Sequence, residues 1–334
     1  MAIVSVRNLV KRYGELTALD HFDLTVEQGE IFGLLGPNGC GKTTAINCML
    51  SLLAYDKGSI ELFGEPMAPN RCDLKRRIGI VPQQVAVFDE LTVAENIDAF
   101  CSLYISNRAE RRRLVNEAIA FVGLEDFRGF RPRKLSGGLL RRLNIACGIA
   151  HRPELIFFDE PTVAVDPQSR NAILQNILRL VDTGATVVYT SHYMEEVEQI
   201  CSRVMIMDRG SAVAEGTVSE LKGMIDVGEK ITLEVEEVPA RTLEALRYLP
   251  CVLSASHRGR ELHVACRHGG NGLTEVLEVL AADGIVPVRV FSEPPTLNDV
   301  FLAITGSDLR DGGGSGADTG TSARVGDPSV RSGR

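Results

Sequence analysis

Residues 36–43 read Gly-Pro-Asn-Gly-Cys-Gly-Lys-Thr and fill every position of the phosphate-binding loop pattern G-x-x-x-x-G-K-[ST]. The apolar stretch 31–35 before the loop predicts a short buried strand, and the stretch 44–50 after it predicts a helix. Strand, loop and helix in this order are the context in which the pattern binds a nucleoside triphosphate. A glycine-rich turn with a chance lysine is the alternative, and the complete match with correct flanks disfavours it.

The residue types in this loop suit an anion that presents several oxygens. Gly36, Gly39 and Gly41 allow a tight curl that aims several backbone N–H groups at one anion. The positive end of the following helix adds to that field. We expect Lys42 to reach the β- and γ-phosphates and the Thr43 hydroxyl to ligate Mg²⁺. The predicted nucleotide-binding residues of this segment are Gly36, Pro37, Asn38, Gly39, Cys40, Gly41, Lys42, Thr43 and Thr44.

Composition and charge limit the class of protein. The 334 residues suffice for about two domains, and 44% hydrophobic with 24% charged residues is typical of soluble globular proteins. The net charge of −8 argues against a nucleic-acid partner. Eight cysteines without a C-x-x-C pair argue against a disulfide or zinc framework. No apolar run reaches the roughly 18 residues of a membrane span, and we recognise no signal peptide, so we expect a cytosolic chain.

The order of predicted elements indicates an α/β protein. Short strands are predicted within residues 1–35, and the periodicity is helical from about 74 to 155. Further strands are predicted at 155–158, 186–190 and 203–208, with helical stretches between them. Strands that alternate with helices favour a mainly parallel core sheet covered on both faces. The middle block, about 84–152, would be a helical insertion beside that sheet.

Residues 222–306 follow a different pattern. Their predicted order is strand, helix, strand, strand, helix, strand, which is the order of the ferredoxin-like fold. The segments are 230–238, 240–248, 252–256, 261–266, 272–282 and 285–291, followed by a short helix at 297–305. The last residues are rich in Gly, Ser and Thr with almost no large apolar side chains, so we expect a disordered tail at 307–334. The predicted domains are therefore 1–221 and 222–306.

A second segment narrows the class of triphosphate-binding protein. Residues 134–143 read Lys-Leu-Ser-Gly-Gly-Leu-Leu-Arg-Arg-Leu, and residues 155–162 read Leu-Ile-Phe-Phe-Asp-Glu-Pro-Thr. This pairing resembles the ATP-binding cassette (ABC) family, in which an L-S-G-G-Q signature precedes the Walker B strand at this spacing. The resemblance covers residues 1 to about 220.

Further positions match the family in its order along the chain. They are Tyr13 for the aromatic that stacks on adenine, Gln83 for the Q-loop glutamine, Asp166 for the D-loop aspartate and His192 for the H-loop histidine. The resemblance implies the α/β fold of a P-loop NTPase of the ABC ATPase type, with a mainly parallel core sheet, an antiparallel β subdomain and a helical subdomain. A small α+β ferredoxin-like C-terminal domain would follow. ATP and Mg²⁺ are the implied cofactors.

The resemblance also implies chemical roles for the polar residues. Asp159 would hold Mg²⁺ together with Thr43 and Gln83, and Glu160 would be the general base toward the attacking water. His192 would contact the γ-phosphate at the carboxyl edge of the sheet. The implied catalytic residues are Glu160, His192, Gln83 and Lys42. The alternatives are an acidic pair that only marks a strand end, a structural histidine and a packing aromatic near a turn.

The signature segment implies a dimer. Ser136 is a suitable N-cap for the helix that follows, and its hydroxyl with the N–H groups of Gly137 and Gly138 would form a second anion site. In the family that site serves the ATP of the opposite subunit, so two chains would sandwich two nucleotides in a C₂ homodimer. Leu139 stands where the consensus has glutamine, and Ala164 where the D-loop usually has glycine. We expect activity to survive the first departure, because the serine and glycine donors remain, and the second to matter little, because alanine is also small.

The C-terminal segment points to one branch of the family. Residues 294–305, Pro-Pro-Thr-Leu-Asn-Asp-Val-Phe-Leu-Ala-Ile-Thr, are similar to the C-terminal motif of daunorubicin-resistance type exporter ATPases. This implies ATP-driven export of a drug, lipid or polysaccharide through a separate membrane permease at the cytoplasmic face of the plasma membrane, with contact through about 83–105. A soluble ABC ATPase acting in DNA repair or on ribosomes is the alternative; coiled coils, zinc-binding cysteine pairs and a second cassette would favour it. A cassette that binds ATP without turnover is a third, which the catalytic residues disfavour.

Overall fold

The computed structural model describes residues 1–306, so the tail predicted at 307–334 lies outside the described residues. The strands are β1 (Ala2–Tyr13), β2 (Leu16–Glu27), β3 (Ile31–Leu35), β4 (Lys57–Leu62), β5 (Glu65–Pro66), β6 (Ile78–Val81), β7 (Leu155–Asp159), β8 (Thr186–Ser191), β9 (Arg203–Asp208), β10 (Ser211–Gly216), β11 (Val227–Glu234), β12 (Val252–Arg258), β13 (Glu261–Arg267) and β14 (Arg289–Glu293). The helices are α1 (Lys42–Met49), α2 (Cys72–Lys75), α3 (Val93–Ser102), α4 (Arg108–Val122), α5 (Gly137–Ile149), α6 (Pro167–Asp182), α7 (Met194–Ile200), α8 (Val218–Gly223), α9 (Ala240–Tyr248), α10 (Gly272–Ala282) and α11 (Leu297–Thr305).

The central sheet has the strand order β10-β9-β3-β8-β7-β6. All neighbouring pairs are parallel except β10 with β9. Strands β3, β7 and β8 are buried along their whole length, as expected for strands that helices cover on both faces. The predicted mainly parallel core sheet is confirmed.

A second sheet, of order β2-β1-β4-β5, is antiparallel and packs beside the core sheet. Its apolar side chains share one core cluster with Phe32 and Phe157 of the central strands. Strands β1 and β2 are twelve residues each, longer than the predicted apolar runs. The extra length contains register shifts near the exposed pair Arg7 and Asn8, which interrupt the apolar alternation.

Helices α3, α4 and α5 form the predicted helical block. Thr92 and Glu95 make a capping box at the start of α3, and Asn107 caps α4. Helix α4 is capped at its C-terminal end by Gly123, whose φ of +68° is the left-handed conformation that glycine adopts easily. The prediction of helical structure from about residue 74 was wrong at β6, a four-residue strand that pairs in parallel with β7.

The C-terminal residues contain a third sheet, of order β12-β13-β11-β14 with antiparallel neighbours. With α9 and α10 this is the predicted ferredoxin-like arrangement, around its own apolar cluster. Strand β14 begins at Arg289, later than predicted, because Pro287 has no N–H group to donate to a ladder. Helix α11 instead packs on α7 and α8: Leu297, Val300 and Phe301 belong to the main core cluster.

Within residues 1–306, every helix is too short or too polar to cross a bilayer.

His151 lies where α5 leads into β7. Its Nε2 is 3.0 Å from the carbonyl oxygen of Ile78, and its ring stacks on Tyr104 with 3.8 Å between the ring centroids. Burial lowers the pKa of His151 to about 4. The folded protein therefore holds a neutral imidazole at a pH where the unfolded chain still binds a proton.

We expect the free energy of unfolding to fall as the pH drops from about 6.5 toward 4, because the unfolded chain binds more protons than the folded one in this window. The lowered pKa corresponds to a loss of about 3 kcal/mol from the free energy of unfolding, complete once His151 is protonated in both the folded and the unfolded chain. Denaturant unfolding of the wild type and of His151→Gln across this window measures the effect. The variant should have a flatter pH profile, and two profiles of equal slope would contradict the assignment.

Candidate functional site

The loop between β3 and α1 depends on its glycines. Gly39 and Gly41 have φ values of +82° and +112°, which residues with a Cβ rarely adopt. A Cβ on Gly41 would lie 2.6 Å from the carbonyl oxygen of Ala18, and one on Gly36 would lie 2.4 Å from that of Met207. The backbone therefore approaches its neighbours too closely for larger residues.

Lys42 is buried at the mouth of this loop. Its Nζ donates to the carbonyl oxygens of Gly36 at 2.7 Å and Pro37 at 3.1 Å. Helix α1 begins here without a side-chain cap, because its N-cap residue is Gly41. The first N–H groups of α1 are thus available, together with the ammonium group, to bind an anion at the loop.

Asp159 ends β7 opposite this loop. Thr43 donates its hydroxyl to one carboxylate oxygen at 2.9 Å, and Thr190 donates to the other at 2.8 Å. No group of three or more His, Cys, Asp or Glu within residues 1–306 is arranged to hold a metal. Mg²⁺ commonly takes only one or two carboxylates and completes its shell with waters and phosphate oxygens. The oxygen donors of Thr43 and Asp159 therefore fit Mg²⁺ bound together with a phosphate.

Glu160 is a buried carboxylate with three polar partners. Gln83 donates its amide N–H to Oε2 at 3.0 Å, and Nδ1 of His192 lies 3.2 Å from the same oxygen. Nζ of Lys42 lies 3.4 Å from Oε1. The structure thus brings the four predicted catalytic residues together. Glu160 has a φ of +45°, an uncommon conformation for a residue with a side chain of this size, and its N–H is held by the hydroxyl of Thr190 at 3.0 Å.

Arg141 of α5 is a site residue that the sequence interpretation missed. Its guanidinium donates to the carbonyl oxygens of Pro82 at 3.0 Å, Gln83 at 2.8 Å and Glu160 at 2.8 Å. Burial lowers the pKa of Arg141, and the nearby Asp159 and Glu160 oppose that shift. One side chain therefore holds the backbone of the Q-loop against the backbone of the Walker B end. In the sequence, only its position in the Arg141-Arg142 pair after the signature could have indicated a role in the site.

Tyr13 lies at the end of β1, outside the cluster around Glu160. Its ring is 49% exposed, with Nζ of Lys11 4.9 Å from the ring centroid. The structure thus leaves much of the ring accessible to a planar ligand.

The signature segment packs against the D-loop. Ser136 caps α5 by accepting the N–H of Leu139 at 3.3 Å, as predicted. Asp166 caps α6 by accepting the N–H of Ser169 at 2.9 Å. A Cβ on Gly138 would lie 2.3 Å from the hydroxyl oxygen of Ser169 and 3.3 Å from a carboxylate oxygen of Asp166. Within residues 1–306, we find no hydrogen bond between this pair of segments and the phosphate loop.

Ala164 has a φ of +59°. This left-handed conformation costs a residue with a Cβ about 1–2 kcal/mol and costs glycine little. The geometry gives a physical reason for the glycine usual at this D-loop position. It also shows that alanine can adopt the same turn at a modest cost.

Comparisons with known proteins agree with this geometry. The family model described as ABC transporter matches residues 19–163. The linearmycin resistance ATP-binding protein LnrL of Bacillus subtilis (strain 168) is 37% identical over 311 residues, which cover 92% of this chain and 100% of that protein. The daunorubicin resistance ATP-binding protein DrrA2 of Streptomyces coeruleorubidus is 34% identical over 305 residues, which cover 91% and 95%. A solved dimeric ATP-binding cassette in a post-hydrolysis state with ADP and Pi has a TM-score of 0.59 at 28% identity and covers 64% of this chain and 98% of its own.

We expect Arg141→Lys to lower the ATP hydrolysis rate about tenfold or more, because a lysine cannot reach three carbonyl oxygens at once. Binding of a fluorescent ATP analogue should change little, since Arg141 has no contact with the phosphate loop. Steady-state hydrolysis and equilibrium binding measure the two effects. Arg142→Lys, on the same helix, is the control and should retain activity. Equal hydrolysis rates for the two variants would contradict a role for Arg141 in ATP hydrolysis.

Proposed function

The chain belongs to the ABC transporter family as an ATP-binding and ATP-hydrolysing subunit, and we propose that it powers export through a separate membrane permease. The observation that carries the proposal is the convergence of Lys42, Gln83 and His192 on the carboxylate of Glu160. The relatives named for linearmycin and daunorubicin resistance support export. We propose a drug, a lipid or a polysaccharide as the cargo class.

The phosphate loop supplies the binding energy for the triphosphate. The N–H groups at the start of α1 and the ammonium of Lys42 would bind the β- and γ-phosphates. Phosphate oxygens would take over the contacts that Lys42 makes with the carbonyl oxygens of Gly36 and Pro37. The accessible ring of Tyr13 would stack on adenine. Cys40, buried beneath the loop, and the half-buried Thr44 would complete the lining.

Magnesium would be held by Thr43 and Asp159. Gln83 would lie near the ion, because its amide group donates a hydrogen bond to the adjacent Glu160. When bound, the ion neutralises phosphate charge. The carboxylate of Asp159 is held in position before the ion binds, because the hydroxyl of Thr190 donates to its second oxygen.

Hydrolysis is assigned to Glu160 as the general base. A carboxylate within hydrogen-bonding reach of a water can accept its proton as the water oxygen attacks the γ-phosphorus, while the bond from that phosphorus to the bridging oxygen breaks and ADP leaves. Gln83 and His192 both contact the same carboxylate oxygen, so both can orient Glu160 and, in turn, the water. We assign the γ-phosphate contact to His192.

The signature completes the site of a second copy in this proposal. Ser136, Gly137 and Gly138 at the start of α5, and the neighbouring Asp166, would face the nucleotide bound by the partner subunit. The solved dimeric cassette supports this arrangement. The resulting homodimer would be a C₂ nucleotide sandwich, in which ATP favours closure and hydrolysis favours opening.

The permease would contact the Q-loop and the start of the helical block, at residues 83–105. Three large apolar side chains there are exposed, namely Val85 at 38%, Phe88 at 52% and Leu103 at 70%. We propose that these side chains are part of the surface that the permease covers. This contact would place the subunit at the cytoplasmic face of the membrane.

We propose that residues 1–221 are the nucleotide-binding domain, with a helical subdomain at about 84–152, and that residues 222–306 are an accessory domain. The separate sheet and separate apolar cluster of the C-terminal residues support this division. Helix α11 is the exception, because its buried face belongs to the main core.

Glu160→Gln tests the proposed chemistry. We expect the hydrolysis rate to fall about 100- to 1,000-fold, since an amide cannot accept the proton of the attacking water. ATP should still bind, so size-exclusion chromatography with ATP should show a trapped dimer. Glu195→Gln makes the same chemical change at an exposed position of α7 and is the control. Wild-type turnover in Glu160→Gln would remove Glu160 from the catalytic role.

A further inference from the structure

Glu196 is a buried carboxylate that has no role in the chemistry above. It lies on α7 with 2% of its surface exposed. Its Oε2 accepts hydrogen bonds from the hydroxyls of Thr162 at 2.7 Å, Tyr189 at 2.7 Å and Ser191 at 3.2 Å. Its Oε1 lies 3.3 Å from Nε of Arg170. A buried charge needs this degree of compensation to be tolerated.

The partners of Glu196 belong to the segments that carry the proposed chemistry. Thr162 follows Glu160 by two residues, and Ser191 directly precedes His192. Arg170 lies in the first turns of α6, the helix that Asp166 caps. One carboxylate therefore touches the end of the Walker B segment, the end of β8 and the helix after the D-loop.

The ring of Tyr193 strengthens this junction. It lies 4.1 Å, centroid to centroid, from the ring of His192, and the guanidinium carbon of Arg170 lies 5.0 Å from its centroid. Arg170 therefore contacts both Glu196 and the residue after His192. A displacement of α6 would act on the histidine through these two contacts.

The hydroxyl of Tyr189 stays a donor to this carboxylate. Burial and the neighbouring charge of Glu196 raise the pKa of Tyr189 well above its ordinary value. The geometry of the junction is thus defined by neutral hydroxyl donors on one oxygen and a cation on the other. The hydroxyls fix the direction as well as the length of the bonds to Oε2, because each has one proton to donate, whereas Arg170 compensates the charge at Oε1 without a hydrogen bond.

We propose that Glu196 is a positioning residue for ATP hydrolysis, which fixes the spacing between Glu160, His192 and the helix that follows Asp166. The inference rests on the proposed function, since it concerns the same hydrolytic step. Glu196 makes no contact with the phosphate loop, so it should act on turnover and leave nucleotide binding unchanged.

The test compares Glu196→Gln with Glu198→Gln in the full-length chain. Glu198 lies on the same helix but faces away from the site, accepting the N–H of Leu297 at 2.7 Å and an N–H of Lys222 at 2.6 Å. We expect kcat to fall about tenfold or more in Glu196→Gln, with the Kd for a fluorescent ATP analogue within about twofold of wild type. Glu198→Gln should keep both values.

A double-mutant cycle with Arg170→Gln adds a second readout. If Glu196 acts partly through Arg170, the double variant should lose less than the product of the two single effects. If the loss of kcat in the double variant equals the product of the two single losses, Glu196 does not act through Arg170. Thermal unfolding of each variant separates positioning from stability, since a merely structural role would lower Tm without the split between kcat and Kd.

Two results would overturn the proposal. One is an unchanged kcat in a folded Glu196→Gln variant, and the other is a parallel loss of kcat and nucleotide affinity. If Glu196→Gln does not fold, Thr162→Val removes one hydroxyl donor and should produce the same split. Measuring Glu160→Gln alongside separates the two proposals. Full activity of Glu160→Gln would contradict the proposed chemistry. An inactive Glu160→Gln together with a fully active Glu196→Gln would contradict only the positioning role of Glu196.

Discussion

The parallel register of β3, β8 and β7 is the constraint on which the site depends. Leu35 pairs with Ser191, and Asp159 pairs with Thr190, so the three strands end level with one another. The carboxyl ends of parallel strands meet at one edge of the sheet. A slip of one residue would turn every side chain of a strand to the opposite face. The loop, the two carboxylates and His192 would then no longer share a site.

The second property of the site is the compensation of buried charge. Glu160, Asp159 and Glu196 are all buried, and each has partners on both carboxylate oxygens. Removing one partner from such a group leaves a charge that water cannot reach. The groups are linked through Thr190 and through the short segment from Glu160 to Thr162, so a change at one carboxylate alters the surroundings of the next.

Sequence reasoning found the parts of the fold and site that are encoded in contiguous residues, and resemblance to a known family supplied isolated positions such as Gln83 and His192. The phosphate loop, the Ser136 cap and the order of elements in the C-terminal domain depend on local patterns of residue types. Arg141 and Glu196 depend instead on carbonyl and hydroxyl groups that are distant in sequence, which no spacing reveals. Strand β6 was missed because four residues carry no periodicity that distinguishes them from a helical turn.

The packing of α11 determines when the protein can complete its core during synthesis. Leu297, Val300 and Phe301 are buried with apolar side chains of α7 and α8, although they come some seventy residues or more later in the chain. A nascent chain that has been synthesised only to the end of α8 therefore leaves this face of α7 exposed to water. Although folding tends to follow the order of synthesis, this core reaches its final packing only after residues 297–301 have been made. Helix α11 thus ties the maturation of the ATPase to the synthesis of residues 297–305.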